Sequence, residues 1–304
     1  MILTVTLNAA LDITYHVASV KWNDTNRVRR VRQRAGGKGV NVARILTRLG
    51  RPAAVTGLLG GDTGATIRRD LAAAGLDDRF LTIDGESRRS VAIVSDVDGD
   101  ATIFNEPGPR VRADDWARFA QHYAGLLGDA AAVVASGSLP PGLPDDAYAR
   151  LTRSARARGL PVAVDSEGPA LAAAAAAGPA VVKPNAAELQ RTTGLADPLA
   201  GAAALRDAGA EAVVVSLGAD GLLAVTGEGT WRARLPQPLA GNPIGAGDAA
   251  VAALIVGAVD ETPWPLRLES AVALSAAAVA APVAGEVDVE RYRELLDVVE
   301  VTAG

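Results

Sequence analysis

The 304-residue chain contains no cysteine, which excludes disulfides, thiolate nucleophiles and cysteine-ligated zinc or iron–sulfur centres. Its two histidines, His16 and His122, offer no metal-ligand spacing and argue against a Ser-His-Asp triad. Both read as ordinary surface or satisfied core residues. Lysine is also scarce, with Lys21, Lys38 and Lys183 set against 27 arginines. Together with abundant alanine this reads as coding bias, and it makes the surviving lysines informative. Lys38 and Lys183 stand inside glycine- or proline-marked motifs, where a compact point charge suits phosphate. There is no basic excess, since the net charge is −5. Nucleic acid is therefore not expected as the main partner, and an anionic ligand must be met by a few placed cations. Long apolar runs are missing too. The stretches near 249–259 and 270–281 fall short of the roughly 18–20 residues a membrane span needs. Residues Met1 to Leu11 lack a basic n-region and read as a first strand. No signal peptide and no membrane contact are expected, and a cytoplasmic enzyme is the default.

No Pro-, Gly- or Ser-rich linker divides the chain, and no fixed-period repeat is visible. Composition is that of a globular protein, 49% hydrophobic and 21% charged. Short β-branched runs at Leu3–Leu7, Ala53–Leu58, Ala131–Ala135, Pro161–Val164, Ala180–Val182 and Ala212–Ser216 alternate with amphipathic windows near 38–49, 62–74, 113–127, 145–158, 197–208 and 247–259. That rhythm predicts a doubly wound α/β domain, its mostly parallel sheet covered by helices on both faces. Residues 170–177 suit a surface helix. Two regions break the rhythm, about 13–34 and 87–105. The first alternates at Ile13–Val17 and around Arg27–Arg34. The second holds Val91–Ser95 and Ala101–Asn105 around Val97-Asp98-Gly99-Asp100, a hairpin with an Asp-Gly turn. We expect one domain over 1–304 with these four strands inserted as a small antiparallel β lid, able to exclude water. An exposed lid sheet would also offer a face for a homodimer.

Four motifs carry chemistry. Gly241-Asn242-Pro243-Ile244-Gly245-Ala246-Gly247-Asp248-Ala249 opens an apolar helix. Its glycines allow backbone amides to approach an anion, and Asp248 stands at the mouth. The alternative is a turn in which Asp248 merely caps the helix. Gly36-Gly37-Lys38-Gly39-Val40-Asn41 opens a second helix, whose Val42, Ile45, Leu46 and Leu49 share a face. It is neither a Walker A loop nor a dinucleotide fingerprint. Asp12 follows the first strand at the sheet's carboxyl edge, where open α/β sheets bind ligands. In Lys183-Pro184-Asn185-Ala186-Ala187-Glu188, Asn185 and Glu188 are hard oxygen donors suited to Mg²⁺, directly or through water, and equally form a capping box. Ser216-Leu217-Gly218-Ala219-Asp220-Gly221 is a nucleotide-facing loop or a simple hairpin.

These segments, in this order from Thr4 to roughly Val283, resemble the PfkB (ribokinase-like) carbohydrate kinases. Gly36–Ala43 is similar to the family's N-terminal signature and Ile244–Asp248 to its C-terminal one. Thr6-Leu7-Asn8, Phe104-Asn105-Glu106-Pro107-Gly108, Ser136–Gly142 and Lys183-Pro184-Asn185 are most similar to the 1-phosphofructokinase and tagatose-6-phosphate kinase branch, whose substrates already carry one phosphate. The resemblance implies Asp248 as catalytic base and Gly245, Ala246 and Gly247 as the anion hole. Asn185 and Glu188 would organise Mg²⁺. Lys183, Asn185 and the loop holding Ser216, Gly218 and Gly221 would lie towards ATP. Asp12, Gly37 and Asn41 would hold sugar hydroxyls, and Arg27, Lys38, Arg88 and Ser138 would meet the substrate's own phosphate, with Arg89 as a neighbour that leaves the arginine uncertain by one position. The implied function is an ATP- and Mg²⁺-dependent kinase acting on a ketohexose monophosphate. Fructose 1-phosphate stands first, with tagatose 6-phosphate and fructose 6-phosphate as alternatives. Three departures, Ala9 for proline, Asn242-Pro243 where a hydroxyl residue is usual, and Ala249 for serine, keep open a catalytically weak sugar-phosphate binding protein of the same fold.

Overall fold

The β-branched runs are buried on both sides because they form the centre of a large sheet, a position that polar alternation would not tolerate. The computed structural model describes all of residues 1–304 except 98, 99, 238, 240, 242, 282 and 284. The expected Asp98-Gly99 turn and Asn242 therefore lie outside the described residues.

Strand Ile2–Thr6 pairs in parallel with Ala53–Leu59 on one side and Ala132–Ser136 on the other. Beyond Ala132–Ser136 follow Val162–Asp165, Val181–Val182 and Ala212–Ser216, all parallel. Leu222–Thr226, Thr230–Arg234 and Glu300–Ala303 then continue the sheet antiparallel to its edge. The short strands Asp77–Asp78 and Leu81–Thr82 pair with Ala53–Leu59.

Alternation along each strand sends neighbours to opposite cores. Val134 and Val181 join Val42, Ile45 and Leu254 on one face. Val133 and Val182 join Phe119, Tyr148 and Leu171 on the other. Helix Ala246–Val259 is apolar all round and buried along most of its length, as a helix wedged between a sheet and a further helix must be. The alanine-rich helix Gly168–Ala175 buries Ala170, Leu171, Ala174 and Ala175, so it is a packing element as well as a surface one. Among the described residues no helix is long and apolar enough to cross a membrane.

The second sheet has the order Arg30–Gly36, Ala10–Val17, Arg88–Ser95, Ala101–Asn105. Its two outer pairs are antiparallel hairpin-type pairs, joined at the centre by the parallel pair Ala10–Val17 with Arg88–Ser95. Leu11 and Ile13 bury one face against Ile67, Leu71 and Phe80. By the two-residue period, Asp12 belongs to the opposite face, in register with Arg34 and Ser90.

Candidate active site

The site is assembled at the carboxyl ends of the parallel strands. Asn8 follows Ile2–Thr6, Ser138 follows Ala132–Ser136, Asp165 ends Val162–Asp165, and Lys183 follows Val181–Val182. Two helix starts face these ends.

The first is Ala246–Val259. Gly245 precedes it at φ 92°, in the left-handed region that favours glycine, and no side chain caps the start. The Ala246 N–H is occupied by Pro243 O at 3.2 Å, and Ser275 Oγ donates to Ala246 O at 2.6 Å. A Cβ on Gly247 would sit 3.3 Å from Lys183 Nζ, so glycine lets that ammonium lie close against the turn. Asp248 is buried. Burial pushes its carboxyl up to about 7, reinforced by the charge of Asp165 and opposed by a hydrogen bond from Asn41 and by Lys38 and Lys183. A base with a value near neutrality is well matched to proton transfer.

The second start is helix Lys38–Arg48. Gly37 adopts φ 106°, and a Cβ there would lie 3.1 Å from Thr6 Oγ1 and 3.3 Å from Ala9 Cα. Asn41, expected on sugar hydroxyls, donates from Nδ2 to Asp248 Oδ2 at 2.8 Å, so its amide orients the Asp248 carboxylate. Lys38, expected on the substrate's own phosphate, instead donates to Asp165 Oδ1 at 2.7 Å and lies 3.6 Å from Glu188 Oε1. Burial would lower its pKa, but Asp165 and Glu188 raise it. Its ammonium therefore belongs to the Asp248 side of the site. The physical reason is that a half-buried lysine takes the nearest buried carboxylate.

That carboxylate, Asp165, is a residue the motifs did not single out. It is 1% exposed and its Oδ2 lies 3.4 Å from Lys183 Nζ. Burial alone would push its carboxyl up, but Lys183 and Lys38 together hold it below the ordinary range. Lys183 is itself only 4% exposed. Nothing local marks Asp165, because its partners stand far away in the chain.

Asn185 and Glu188 form a closed capping box on helix Ala186–Thr193: Asn185 Oδ1 accepts from Glu188 N–H and Glu188 Oε2 accepts from Asn185 N–H, both at 2.8 Å. Among the described residues there is no cluster of three or more ligating groups that could enclose an ion. Glu188 Oε1, which faces Lys38 at 3.6 Å, and the remaining lone pair of Asn185 Oδ1 fit a hydrated Mg²⁺ held through its waters, since this ion keeps several of them, and do not form a protein cage.

Beside them opens a cavity of about 830 Å³, lined among others by Asn185, Ser216, Gly218, Asp220, Arg232 and Arg234. Loop 217–221 turns back as a hairpin between antiparallel strands, closed by Leu217 N–H to Gly221 O at 2.9 Å. Gly218 lines the cavity, whereas a Cβ on Gly221 would come 2.0 Å from Ala233 O. Strand packing alone therefore requires glycine at 221.

Across the site lies a second group. Arg88 is half-buried and donates from Nε to Asn8 O at 2.9 Å. Burial lowers its pKa, while Asp12 and Glu106 pull the other way. Asn8 Nδ2 donates to Pro107 O and to Ser138 Oγ, at 3.1 and 3.2 Å, so Asn8 ties Arg88 and Ser138 together. Gly108 packs so close that a Cβ there would lie 2.2 Å from Asn8 Oδ1. Burial pushes the Asp12 carboxyl up to about 6 against Arg88, Arg34 and Arg44, and a Cβ on Gly36 would overlap that carboxylate. Arg89, one step along the strand, is exposed and paired with Glu106 at 2.7 Å. Strand parity thus separates Arg88 from Arg89. Arg27 is exposed in the segment between Val17 and Arg30, and none of the described interactions joins it to Arg88 or Asp12.

A buried carboxylate beside an uncapped helix start, two lysines at its flank and a half-buried arginine opposite are the parts that transfer of a phosphoryl group to an alcohol requires. Solved structures share the whole fold. A protein from Thermotoga maritima named a possible 1-phosphofructokinase is 27% identical with a TM-score of 0.89, over 100% of this chain and 99% of that one. Phosphofructokinase-2 from Escherichia coli, solved with fructose-6-phosphate, is 26% identical with a TM-score of 0.87, over 97% and 98%. The ribokinase of Arabidopsis thaliana, solved with ribose and ATP, shares the fold at 21% identity and a TM-score of 0.74, over 97% and 98%. The model of the pfkB family carbohydrate kinases matches residues 5–290. The chain is therefore a phosphotransferase with an alcohol acceptor and belongs to the pfkB family of carbohydrate kinases.

Proposed function

We propose that this kinase transfers the γ-phosphoryl group of ATP to a ketohexose monophosphate, with D-fructose 1-phosphate giving the 1,6-bisphosphate as the first choice. The observation that carries the reading is the group Arg88, Asn8 and Ser138, whose Asn8 and Ser138 follow the carboxyl ends of the same parallel sheet that carries Asp165 and Lys183. A half-buried guanidinium tied through Asn8 to a serine hydroxyl matches a phosphate already on the sugar, and an unphosphorylated sugar would leave it unpaired.

In this mechanism Asp12 accepts from sugar hydroxyls and orients the ring, while Gly36 and Gly37 let the helix start approach it closely. Asn41 holds the Asp248 carboxylate in place. The substrate hydroxyl oxygen bonds to the γ-phosphorus as the bond from phosphorus to the β,γ-bridging oxygen breaks. The hydroxyl proton passes to Asp248, and ADP leaves. Lys38, Lys183 and the turn at Gly245–Gly247 stabilise the charge on the equatorial oxygens, which is where most of the catalysis of phosphoryl transfer comes from. The nucleotide occupies the cavity beside Asn185, Ser216 and Gly218. Mg²⁺, held through water by Asn185 and Glu188, would neutralise charge between the β- and γ-phosphates. The small sheet serves as a lid on the same catalytic unit. Phe104 and Val31, half exposed on it, give a second copy a surface to cover, which light scattering would report as a dimer.

Coupled ADP release with fructose 1-phosphate, tagatose 6-phosphate, fructose 6-phosphate, fructose and ribose tests the reading. Turnover is expected with a ketohexose phosphate and not with free sugars. Activity confined to free sugars would overturn the phosphate anchor, and binding without turnover would point to a sugar-phosphate binding protein.

A further inference from the structure

Asp165 makes the two shortest contacts of the two lysines at the reaction centre, yet it lies in a strand, carries no motif and has no role in the transfer steps above. Its two carboxylate oxygens are divided. Oδ1 takes Lys38 Nζ at 2.7 Å and Oδ2 faces Lys183 Nζ at 3.4 Å. The lysines arrive from different elements, Lys38 from the first residue of helix Lys38–Arg48 and Lys183 from the end of Val181–Val182. They also differ in freedom. The Lys183 side chain is 4% exposed and is pressed against Gly247, whereas the Lys38 side chain is 37% exposed and touches Glu188 as well. One carboxylate therefore bridges a fixed cation and a movable one.

We propose that Asp165 is a positioning residue for phosphoryl transfer, holding Lys183 in place and Lys38 in reserve until a nucleotide supplies oxygens that draw Lys38 across. Two ammonium groups this close would repel each other without a charge between them. With Asp165 present they share one counter-charge between them, and Glu188 lies against Lys38 as a second. This rests on the kinase reading above. The charged groups facing Asp248 are Asp165, Lys38 and Lys183, with the uncharged amide of Asn41 as hydrogen-bond donor. Asp165 and the lysines act on the base in opposite senses, and that gives the test its signature.

The experiment compares wild type, Asp165→Asn and Lys38→Met with a ketohexose phosphate and ATP, recording kcat, both KM values and the acid limb of kcat/KM against pH. For Asp165→Asn we expect kcat to fall about 10²-fold with the sugar-phosphate KM held within about threefold. Its acid limb should move to lower pH, because the negative charge that raises Asp248 is gone. For Lys38→Met the limb should move to higher pH. A residue that served only stability would not shift the limb in opposite directions in the two variants. Asp165→Asn leaves Lys183 buried without a counter-charge, so if that variant fails to fold, Asp165→Glu, which keeps the counter-charge at a displaced position, decides instead: kcat should fall with the sugar-phosphate KM held within about threefold, and a kcat close to wild type overturns the proposal. Limbs that stay put, or a kcat for Asp165→Asn close to wild type, overturn the proposal. A wild type with no activity on any sugar phosphate overturns the functional reading instead.

Discussion

The two sides of the site are built differently. Asp248, Asp165 and Lys183 are almost fully buried, borne on strand ends and on a helix start packed into the main core. Arg88, Asp12 and Ser138 are half-buried or exposed, and the first two sit on the small sheet. The buried side gains from low dielectric, which strengthens each charge interaction and raises the base toward neutrality. On the proposed function the open side would admit and release a charged sugar, and it presents an arginine that water can still reach. The proposed function thus puts chemistry in the main core and recognition on the small sheet.

The largest way to break this comparison is Asp248→Asn. Loss of the base should lower kcat by about 10³-fold, while nucleotide binding, read by thermal shift, persists. The same variant should be more stable at high pH. The folded value of Asp248 is raised above the ordinary carboxylate value, so between about 4 and about 7 the folded protein holds a proton that the unfolded chain has lost. Stability therefore declines as pH rises through that window. The melting temperature of Asp248→Asn should exceed that of wild type at pH 8 and approach it at pH 5.

A smaller effect separates the neighbouring arginines. Arg88→Ala should raise the KM for the sugar phosphate by about 10 to 100-fold, the range of one charge-assisted hydrogen bond. Arg89→Ala removes only an exposed pair with Glu106 and should stay within about twofold. Equal effects would show that strand parity has been misassigned. The smallest expected effect is on pH. In wild type kcat/KM should fall as pH drops through about 7, where Asp248 takes up a proton, and more steeply below about 6, where Asp12 does so and loses its pull on Arg88. A flat profile from pH 5 to 8 would remove Asp248 as the base.

Legibility in the sequence follows the same division. The parallel strands were readable because continuous β-branched runs have few other uses, and the glycine motifs because their spacing fixes a helix start. The antiparallel edge at Thr230–Arg234 and Glu300–Ala303 was not, since its residues alternate weakly and one partner lies at the far end of the chain. The capping box of Asn185 and Glu188 was readable because it is local. The Asp165 bridge was not, being defined by Lys38, 127 residues away. Choosing between Arg88 and Arg89 needed the strand's pairing with Ala10–Val17, which no local pattern supplies. The contact of Lys38 with Asp165 is equally invisible to local pattern.

On the proposed function, a lid-borne phosphate anchor presents an already phosphorylated sugar to a buried base. The most direct test is the ratio of kcat/KM for fructose 1-phosphate over fructose, in wild type and in Arg88→Ala. A ratio of about 10³ or more in wild type, falling by at least about tenfold in the variant, is the expected result. A ratio near one in wild type, or one that Arg88→Ala leaves unchanged, would contradict the claim.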